Sequence, residues 1–475
     1  MNRNKLLISL IVMLVSITTF ASRGTATTTN STTPTYYTKQ VHNFDAYHSV
    51  PVQDKYRENL AYSIGIQAYI YAYPLLEVAK TMQEFTKHTP LNKFYHMREL
   101  ADSNFRDVVT PNNDTLYSQA WLDLSKGPVV LSVPNVKGRY YTMQFLDAYT
   151  NSFHYIGKRT TGTTAGKYVI VGPNWKGKLP KGENIIKTPT NMVWINGRIL
   201  VDGPKDLPNV HTIQDKFSLT PYDKKEAKSL LDLPTVLSTD FSDPIQFFDK
   251  MTKLIKLNPG SKADVAMISQ FELIGIDPIK GFQGNIDSAV MAGLTRAVKD
   301  GKEIIAKTLS TLGKTSNNWK VFYDIGTYGT DYLKRAVVAM FGLGANVPEE
   351  AMYVRTQVDS NGNVLSGNNQ YIIHFNKDQP IPPVKAFWSL SMYGPDNFFV
   401  SNPINRYSIG DRTEGLKYNP DGSLDIYIQN APPLGHESNW LPAPANHFVL
   451  MLRMYMPEKS VLDGTYKFPL VEKVN

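Results

Sequence analysis

The spacing of apolar residues changes three times along this 475-residue chain, and these changes restrict the architectures that it can adopt. Residues 54–106 place apolar side chains at three- and four-residue spacing, as a helix requires. Residues 107–220 change to short runs separated by turn residues, which predict an antiparallel β-sandwich. Helical spacing returns over 221–347, and strand patterns occupy 348–475. The predicted fold class is therefore α+β, with two β-domains and helical segments before and between them.

Four local patterns add details that a structure can test. Pro74 interrupts the first helical stripe, so it should kink that helix or begin a second one. Pro244 to Leu257 is predicted to be a helix, because its apolar residues recur every three or four positions. Leu424 to Gln429 alternates like a strand. Asn196-Gly197 separates two apolar runs, and this dipeptide typically forms a hairpin turn.

The first 26 residues have the pattern of a secretory signal peptide. Two basic residues precede the uncharged run Leu6–Ala21, and small residues follow it. This run of 16 residues is shorter than the ~20 needed to cross a bilayer, so an N-terminal membrane anchor is the weaker alternative. We expect cleavage near Ala21 or Ala26, a Thr-rich linker over 27–53, and a secreted or periplasmic protein without a membrane span.

Composition removes several classes of function. The chain has no cysteine, which excludes disulfides, cysteine-ligated metal centres and a catalytic thiol. Its net charge of +8 is spread along the chain and forms no basic tract, so no nucleic-acid partner is expected.

Two clusters of polar residues lie in the first predicted β-domain. The first consists of Asn112, Asn113 and Asp114, followed by Tyr117, and the second consists of Asp147 and Asn151. Asn and Asp at such places also form turns by bonding to nearby backbone, so a structural role is the alternative. Their amide and carboxylate groups suit sugar hydroxyls, or a divalent cation with oxygen ligands.

Two further clusters lie in the second predicted β-domain. Arg406, Asp411 and Arg412 share a turn-rich segment, where they form either an ion-paired unit that holds the loop or a site for an anionic ligand group. The last cluster combines a carboxylate, an amide and an indole, in Glu437, Asn439 and Trp440. We expect the aromatic rings of Tyr117 and Trp440 to face a ligand.

These clusters lie within four blocks that resemble a known group of proteins. The blocks are VVTPNNDTLYSQAWLDLS (108–125), GRYYTMQFLDAYTNSFHYIG (138–157), NPINRYSIGDRTEGLKYNPDGSLDIYIQ (402–429) and ESNWLPAP (437–444). They resemble proteins in which domain of unknown function 1254 precedes domain of unknown function 1214. The resemblance implies an N-terminal β-sandwich, a helical part, a C-terminal jelly-roll-like β-domain and a homo-oligomer. It implies no activity.

Three functions fit these observations. The first is an exported protein that binds, and in one version hydrolyses, a carbohydrate or an anionic glycan through loops of its β-domains. The second is a metal-dependent hydrolase that uses Asp114, Asp147 and Glu437 as catalytic carboxylates, with His436 as a further ligand. The third is a non-enzymatic envelope or assembly protein whose β-domains build an oligomer. Fold-level analogy cannot separate them, because unrelated functions share such folds.

Overall fold

The structure is a computed structural model that describes residues 50–178, 184–223, 232–278, 280–282, 287–378 and 381–474. The expected signal peptide and most of the Thr-rich linker lie outside the described residues. The predicted α+β class is confirmed, since helices and several mainly antiparallel sheets alternate along the chain.

The helices form one layer around a shared apolar core. They are α1 (Val50–Thr86), α2 (Leu207–Gln214), α3 (Pro244–Leu257), α4 (Val265–Gln270), α5 (Ser288–Thr308), α6 (Tyr332–Gly342) and α7 (Lys459–Leu462). Helix α1 packs mainly along α5, and α6 lies against both. The α1–α5 packing is close at Gly293, where an added Cβ would lie 2.3 Å from the carbonyl oxygen of Glu58.

Two sheets form the N-terminal β-domain. Its strands are β1 (Phe94–His96), β2 (Thr115–Asp123), β3 (Val129–Val133), β4 (Tyr141–Asp147), β5 (Ser152–Gly157), β6 (Gly166–Val171), β7 (Asn184–Lys187), β8 (Met192–Leu200) and β9 (Ser218–Pro221). The first sheet has the order β1-β2-β8-β4-β5, and the second has the order β7-β6-β3-β9. An apolar core that includes Leu131, Phe145 and Ile195 joins them.

A short hairpin, β10 (Ile276–Asp277) with β11 (Gly281–Phe282), lies among the helices. The C-terminal β-domain contains β12 (Lys314–Ser316), β13 (Trp319–Val321), β14 (Ala351–Thr356), β15 (Gln370–Phe375), β16 (Val384–Tyr393), β17 (Ser408–Gly410), β18 (Leu424–Gln429), β19 (Trp440–Pro442), β20 (Val449–Pro457) and β21 (Val471–Val474). The third sheet has the order β12-β13-β14-β20-β16-β17, and the fourth has the order β19-β18-β15-β21. Their core contains Val354, Ile373 and Leu452.

Two of the local predictions are confirmed, since helix α3 and strand β18 have the expected bounds. Helix α3 begins where its pattern does because the Asp243 carboxylate accepts a hydrogen bond from the Gln246 amide and Pro244 occupies the first helical position.

The prediction of a hairpin turn at Asn196-Gly197 is wrong, because both residues lie inside strand β8. Glycine is needed there for packing, since an added Cβ would lie 2.4 Å from the Met143 sulfur and 2.6 Å from the Ser118 carbonyl oxygen. Pro74 does not begin a second helix either, because α1 continues through it. Burial of neighbours such as Leu75 and Leu76, both 0% exposed, offsets the lost hydrogen bond.

None of the helices in the described ranges combines the length and the apolar character that a membrane crossing needs.

Candidate ligand site between the two β-domains

The first sheet has one apolar face and one face of mixed character. Because side chains alternate along a strand, Tyr117 and Gln119 of β2 share a face with their register partners Arg198 and Asn196 of β8. Gln144 of β4 lies beside Asn196 on the same face. The opposite face packs in the apolar core of the domain.

The mixed face is divided between two neighbours. At one end Trp121 and Trp194 stack with their rings 5.0 Å apart and join the helical core. At the other end the polar residues meet the C-terminal β-domain, where the Asn112 amide donates to the Tyr455 hydroxyl at 3.1 Å. The Tyr140 hydroxyl likewise donates to Glu350 at 2.8 Å.

The third sheet also presents polar residues toward this contact. Tyr353, Arg453 and Ser389 are register neighbours on β14, β20 and β16, and Tyr455 follows two positions after Arg453. The alternate residues of these strands, such as Val354, are buried in the core of the C-terminal β-domain. Sheets usually bury apolar faces against each other. Here two polar and aromatic faces meet, and we call Tyr117, Arg198, Tyr353, Arg453 and Tyr455 the inter-sheet site.

Arg198 is the least satisfied charge of this site. Its side chain is buried, with 7% of the residue exposed, and Nη1 donates to the Gln144 carbonyl oxygen at 3.1 Å. Its Nε has no hydrogen-bond partner, and no carboxylate among the described residues forms an ion pair with it. The guanidinium carbon lies 5.2 Å from the centre of the Tyr117 ring. Burial alone would lower the pKa of Arg198, but Tyr117, Tyr353 and Tyr455 outweigh it and raise that pKa, so the group stays charged.

Other polar atoms on the same face are buried without partners. They are Trp121 Nε1, Thr142 Oγ1, Trp194 Nε1 and Asn196 Oδ1. Buried polar atoms in native proteins are nearly always bonded to protein, water or a ligand. Their concentration on one face indicates a surface built to contact polar molecules.

Tyr117 lies between two cations. It is deep in the protein, yet its side chain is only half-buried, so it borders an internal space. Burial raises the pKa of the Tyr117 hydroxyl, but the charges of Arg198 and Arg453 outweigh this effect and lower the pKa below its ordinary value. The same positive potential would stabilise any anion placed beside this hydroxyl.

Arg453 connects the inter-sheet site to the loop before β2. Its Nη2 donates to the carbonyl oxygens of Thr110 and Pro111 at 2.8 and 3.1 Å, and to the Tyr393 hydroxyl. All of these acceptors are neutral, so the charge of Arg453 also adds to the potential at Tyr117.

The first predicted cluster is the one that the structure brings to this site. Asp114 accepts hydrogen bonds from Ser389 at 2.6 Å and from Arg412 at 2.7 Å. We call Asp114, Ser389 and Arg412 the inter-domain bridge. Asn112 contacts Tyr455 as described above, and Asn113 is half-buried with its Oδ1 unpartnered.

The second cluster makes a turn. The Asp147 Oδ1 accepts from the backbone amides of Tyr149 and Asn151, both at 2.9 Å. The Asn151 amide group donates back to Asp147, and its oxygen accepts from the amide of Tyr328. Burial raises the pKa of Asp147, although these hydrogen bonds oppose the rise.

The third cluster does not form a single unit. Arg412 lies 3.5 Å from Asp411, but Arg406 donates instead to the carbonyl oxygens of Glu437, Ser438 and Trp440, at 2.8–3.1 Å. Arg406 thus holds the loop of the fourth cluster.

In that loop, Asn439 bonds to the backbone of Lys417 and Asp425. Trp440 is 3% exposed and donates to Gln429, so its ring packs in the protein and does not face an open surface. The carboxylate of Glu437 accepts from the Gly435 amide.

The oxygen-ligand metal site is not assembled. Within the described part of the chain, no three His, Asp or Glu side chains come together as metal ligands would. Asp114, Asp147 and Glu437 each bond to different partners, as described above, and the His436 ring stacks on Tyr427. The metal-dependent hydrolase therefore lacks the convergence that it requires.

The residues that sequence reasoning missed are Arg198, Tyr353, Arg453 and Tyr455. A usable signal existed, since each arginine is the only charged residue of its strand, in MVWINGRIL and VLMLRMYMP. A lone cation in an apolar strand must bury its charge or present it to a ligand.

Comparison with known families agrees with this division of the chain. The model of domain of unknown function 1254 (DUF1254) matches residues 91–221, and that of domain of unknown function 1214 (DUF1214) matches 350–459. The chain pairs a DUF1254 region with a DUF1214 region. The inter-sheet site lies where these two regions meet, with Tyr117 and Arg198 from DUF1254 and Tyr353, Arg453 and Tyr455 from DUF1214.

Solved structures show the same architecture. The crystal structure of the VPA0106 protein from Vibrio parahaemolyticus is 25% identical, with a TM-score of 0.69, and the match covers 87% of this chain and all of that one. A putative uncharacterized protein from Burkholderia cenocepacia is 11% identical, with a TM-score of 0.43 over 86% of this chain and 88% of its own. No curated protein matches the DUF1254–DUF1214 chain.

Proposed function

We propose that this protein binds an anionic carbohydrate between its two β-domains, with a carboxylate of the ligand held beside Tyr117 by Arg198. The observation that carries the proposal is the buried guanidinium of Arg198, which has an unpartnered Nε and no ion-pair partner among the described residues. Keeping such a charge without an anion is costly, so a bound anion gives it a purpose.

The chemistry of the surrounding groups favours a sugar acid over a simple ion. A planar guanidinium matches a carboxylate through paired hydrogen bonds. The amides of Asn196 and Gln119 and the hydroxyl groups of Tyr117 and Tyr353 lie on the two facing sheets, and such groups donate to and accept from sugar hydroxyls. This arrangement differs from loop-based binding, because the polar groups are on strands.

The direct test is calorimetric titration of the full chain with galacturonate, glucuronate and the neutral sugar galactose. We expect binding of the two acids, weaker binding at high salt, and no binding of galactose. Arg198→Met should lower the affinity about 10- to 100-fold, because a hydrogen bond to a charged group is worth ~1.5–3 kcal/mol.

A matched control removes one positive charge elsewhere. Arg57 lies on α1, with a side chain that is 54% exposed and paired with Asp287, so Arg57→Met should leave affinity unchanged. The proposal is wrong if the wild-type protein binds neither acid, or if Arg198→Met and Arg57→Met bind them equally well.

We also propose that binding takes place outside the cytoplasm, on the basis of the signal-like pattern of residues 1–26. N-terminal sequencing of protein from the envelope or the medium should find a start near Ser22 or Thr27, the residues that follow Ala21 and Ala26. A start at Met1 in that material contradicts the proposal.

A further inference from the structure

We propose that Arg355 forms a second anion-binding position on the same face of the third sheet, so that the ligand carries at least two carboxylates, as a linear oligouronate does. This inference rests on the function proposed above and narrows its ligand class. A single sugar acid would occupy only the position at Arg198.

The position of Arg355 follows from strand geometry. It lies two residues after Tyr353 on β14, and residues two apart on a strand share a face at about 7 Å. Val354 and Thr356, which alternate with it, are buried on the other face. Arg355 therefore lies on the side of the third sheet that carries Tyr353, Arg453 and Tyr455 of the inter-sheet site.

Arg355 resembles Arg198 in lacking a partner. No hydrogen bond or ion pair to another described residue engages its guanidinium, although that group carries five N–H donors. Its side chain is half-buried, and burial lowers the pKa of Arg355 while Tyr393 opposes the change. In contrast, Arg406 and Arg412 of the same domain use their donors on backbone carbonyls and carboxylates.

The surroundings leave room for a longer ligand on this side. Met451 is the register partner of Arg355 and packs against an aromatic cluster of Tyr393, Phe399 and Tyr407. Phe399 and Tyr407 line a cleft of about 670 Å³, which has the size of typical ligand sites. The row of residues that contains Arg355 thus leads from the inter-sheet site toward this cleft.

The test compares monogalacturonate, digalacturonate and trigalacturonate on the wild type, Arg355→Gln and Arg355→Lys. The wild type should bind the dimer or trimer at least ~10-fold more tightly than the monomer, because a second charged contact forms. Arg355→Gln should remove this gain and leave monomer affinity and melting temperature unchanged. Arg355→Lys should keep part of the gain, since it retains the charge without the planar fork.

The outcomes separate this inference from the proposed function. If the wild type binds the monomer but gains nothing with longer chains, or if Arg355→Gln keeps the full gain, the second position is wrong and the first stands. If the wild type binds none of the three while galacturonate fails in the earlier titration, the proposed function itself is wrong.

Discussion

Two groups of buried charge lie at the contact between the β-domains, and they are built in opposite ways. In the inter-domain bridge, Asp114 is 3% exposed and accepts from both Arg412 and Ser389, so each charge has a partner. In the inter-sheet site, Arg198 is almost as buried but bonds to one neutral amide and leaves Nε unpartnered. Paired charge holds domains together, whereas unpaired buried charge lowers stability and persists where a ligand needs it.

The largest expected effect is loss of the bridge. Asp114→Ala leaves Arg412 without its buried partner, and removing one member of a buried ion pair costs ~3–5 kcal/mol. The free energy of unfolding from denaturant titration should fall by about that amount. Asp249→Ala is the control, because its surface pair with Lys253 is worth no more than ~1 kcal/mol. If both variants lose about the same, the bridge does not hold the domains together.

Arg198→Met should change stability in the opposite direction. It removes a buried cation that no carboxylate pairs and keeps a side chain of similar length, so the free energy of unfolding should stay constant or rise by about 1–2 kcal/mol. Arg412→Met is the comparison and should be destabilising. A loss above about 3 kcal/mol in Arg198→Met would show that Arg198 supports the fold as the bridge does.

The difference between these groups explains what could be predicted from sequence. Local periodicity sufficed for α3 and β18, since the pattern and the capping residue lie within one segment. Asn196-Gly197 was misread because the need for glycine comes from Met143 on a neighbouring strand. Local sequence carries no information about such a contact.

The candidate site was predictable only in part for the same reason. Asn112, Asp114 and Tyr117 stood out as a polar run, and the structure places them at the contact between the domains. Their partners lie more than 200 residues away: Tyr455 bonds to Asn112, and Arg412 bonds to Asp114. Pairing across such a distance depends on how the sheets face each other, which a single sequence does not reveal.

Tyr117→Phe tests the positive potential through the pH dependence of stability. The pKa of Tyr117 is lowered in the folded protein relative to ~10 in the unfolded chain, so the folded state releases this proton first as pH rises. The contribution of Tyr117 to stability is thus fully present above ~10 and is lost as pH falls through the folded pKa. The wild type should gain stability over Tyr117→Phe as pH rises from 7 toward 10, by ~1.4 kcal/mol for each unit of pKa difference. A difference that is flat or falls with pH contradicts the proposed field.

The smallest effect is expected at Asp411, which lies beside the bridge without joining it. Arg412 lies 3.5 Å from Asp411 but 2.7 Å from Asp114, so its favourable charge is used mainly by Asp114. Burial therefore dominates and raises the pKa of Asp411 to about 6, although Arg412 opposes the rise. A folded pKa above the unfolded value means that the wild type loses stability as pH rises from about 4 through about 6. Asp411→Asn should be equal to or more stable than the wild type at pH 7, by about 1 kcal/mol or less because the side chain is 31% exposed, and the gap should close by about pH 4. Thermal melts of both proteins across this range provide the measurement. An Asp411→Asn variant that is clearly less stable at pH 7 would place Asp411 inside the bridge, as a second partner of Arg412.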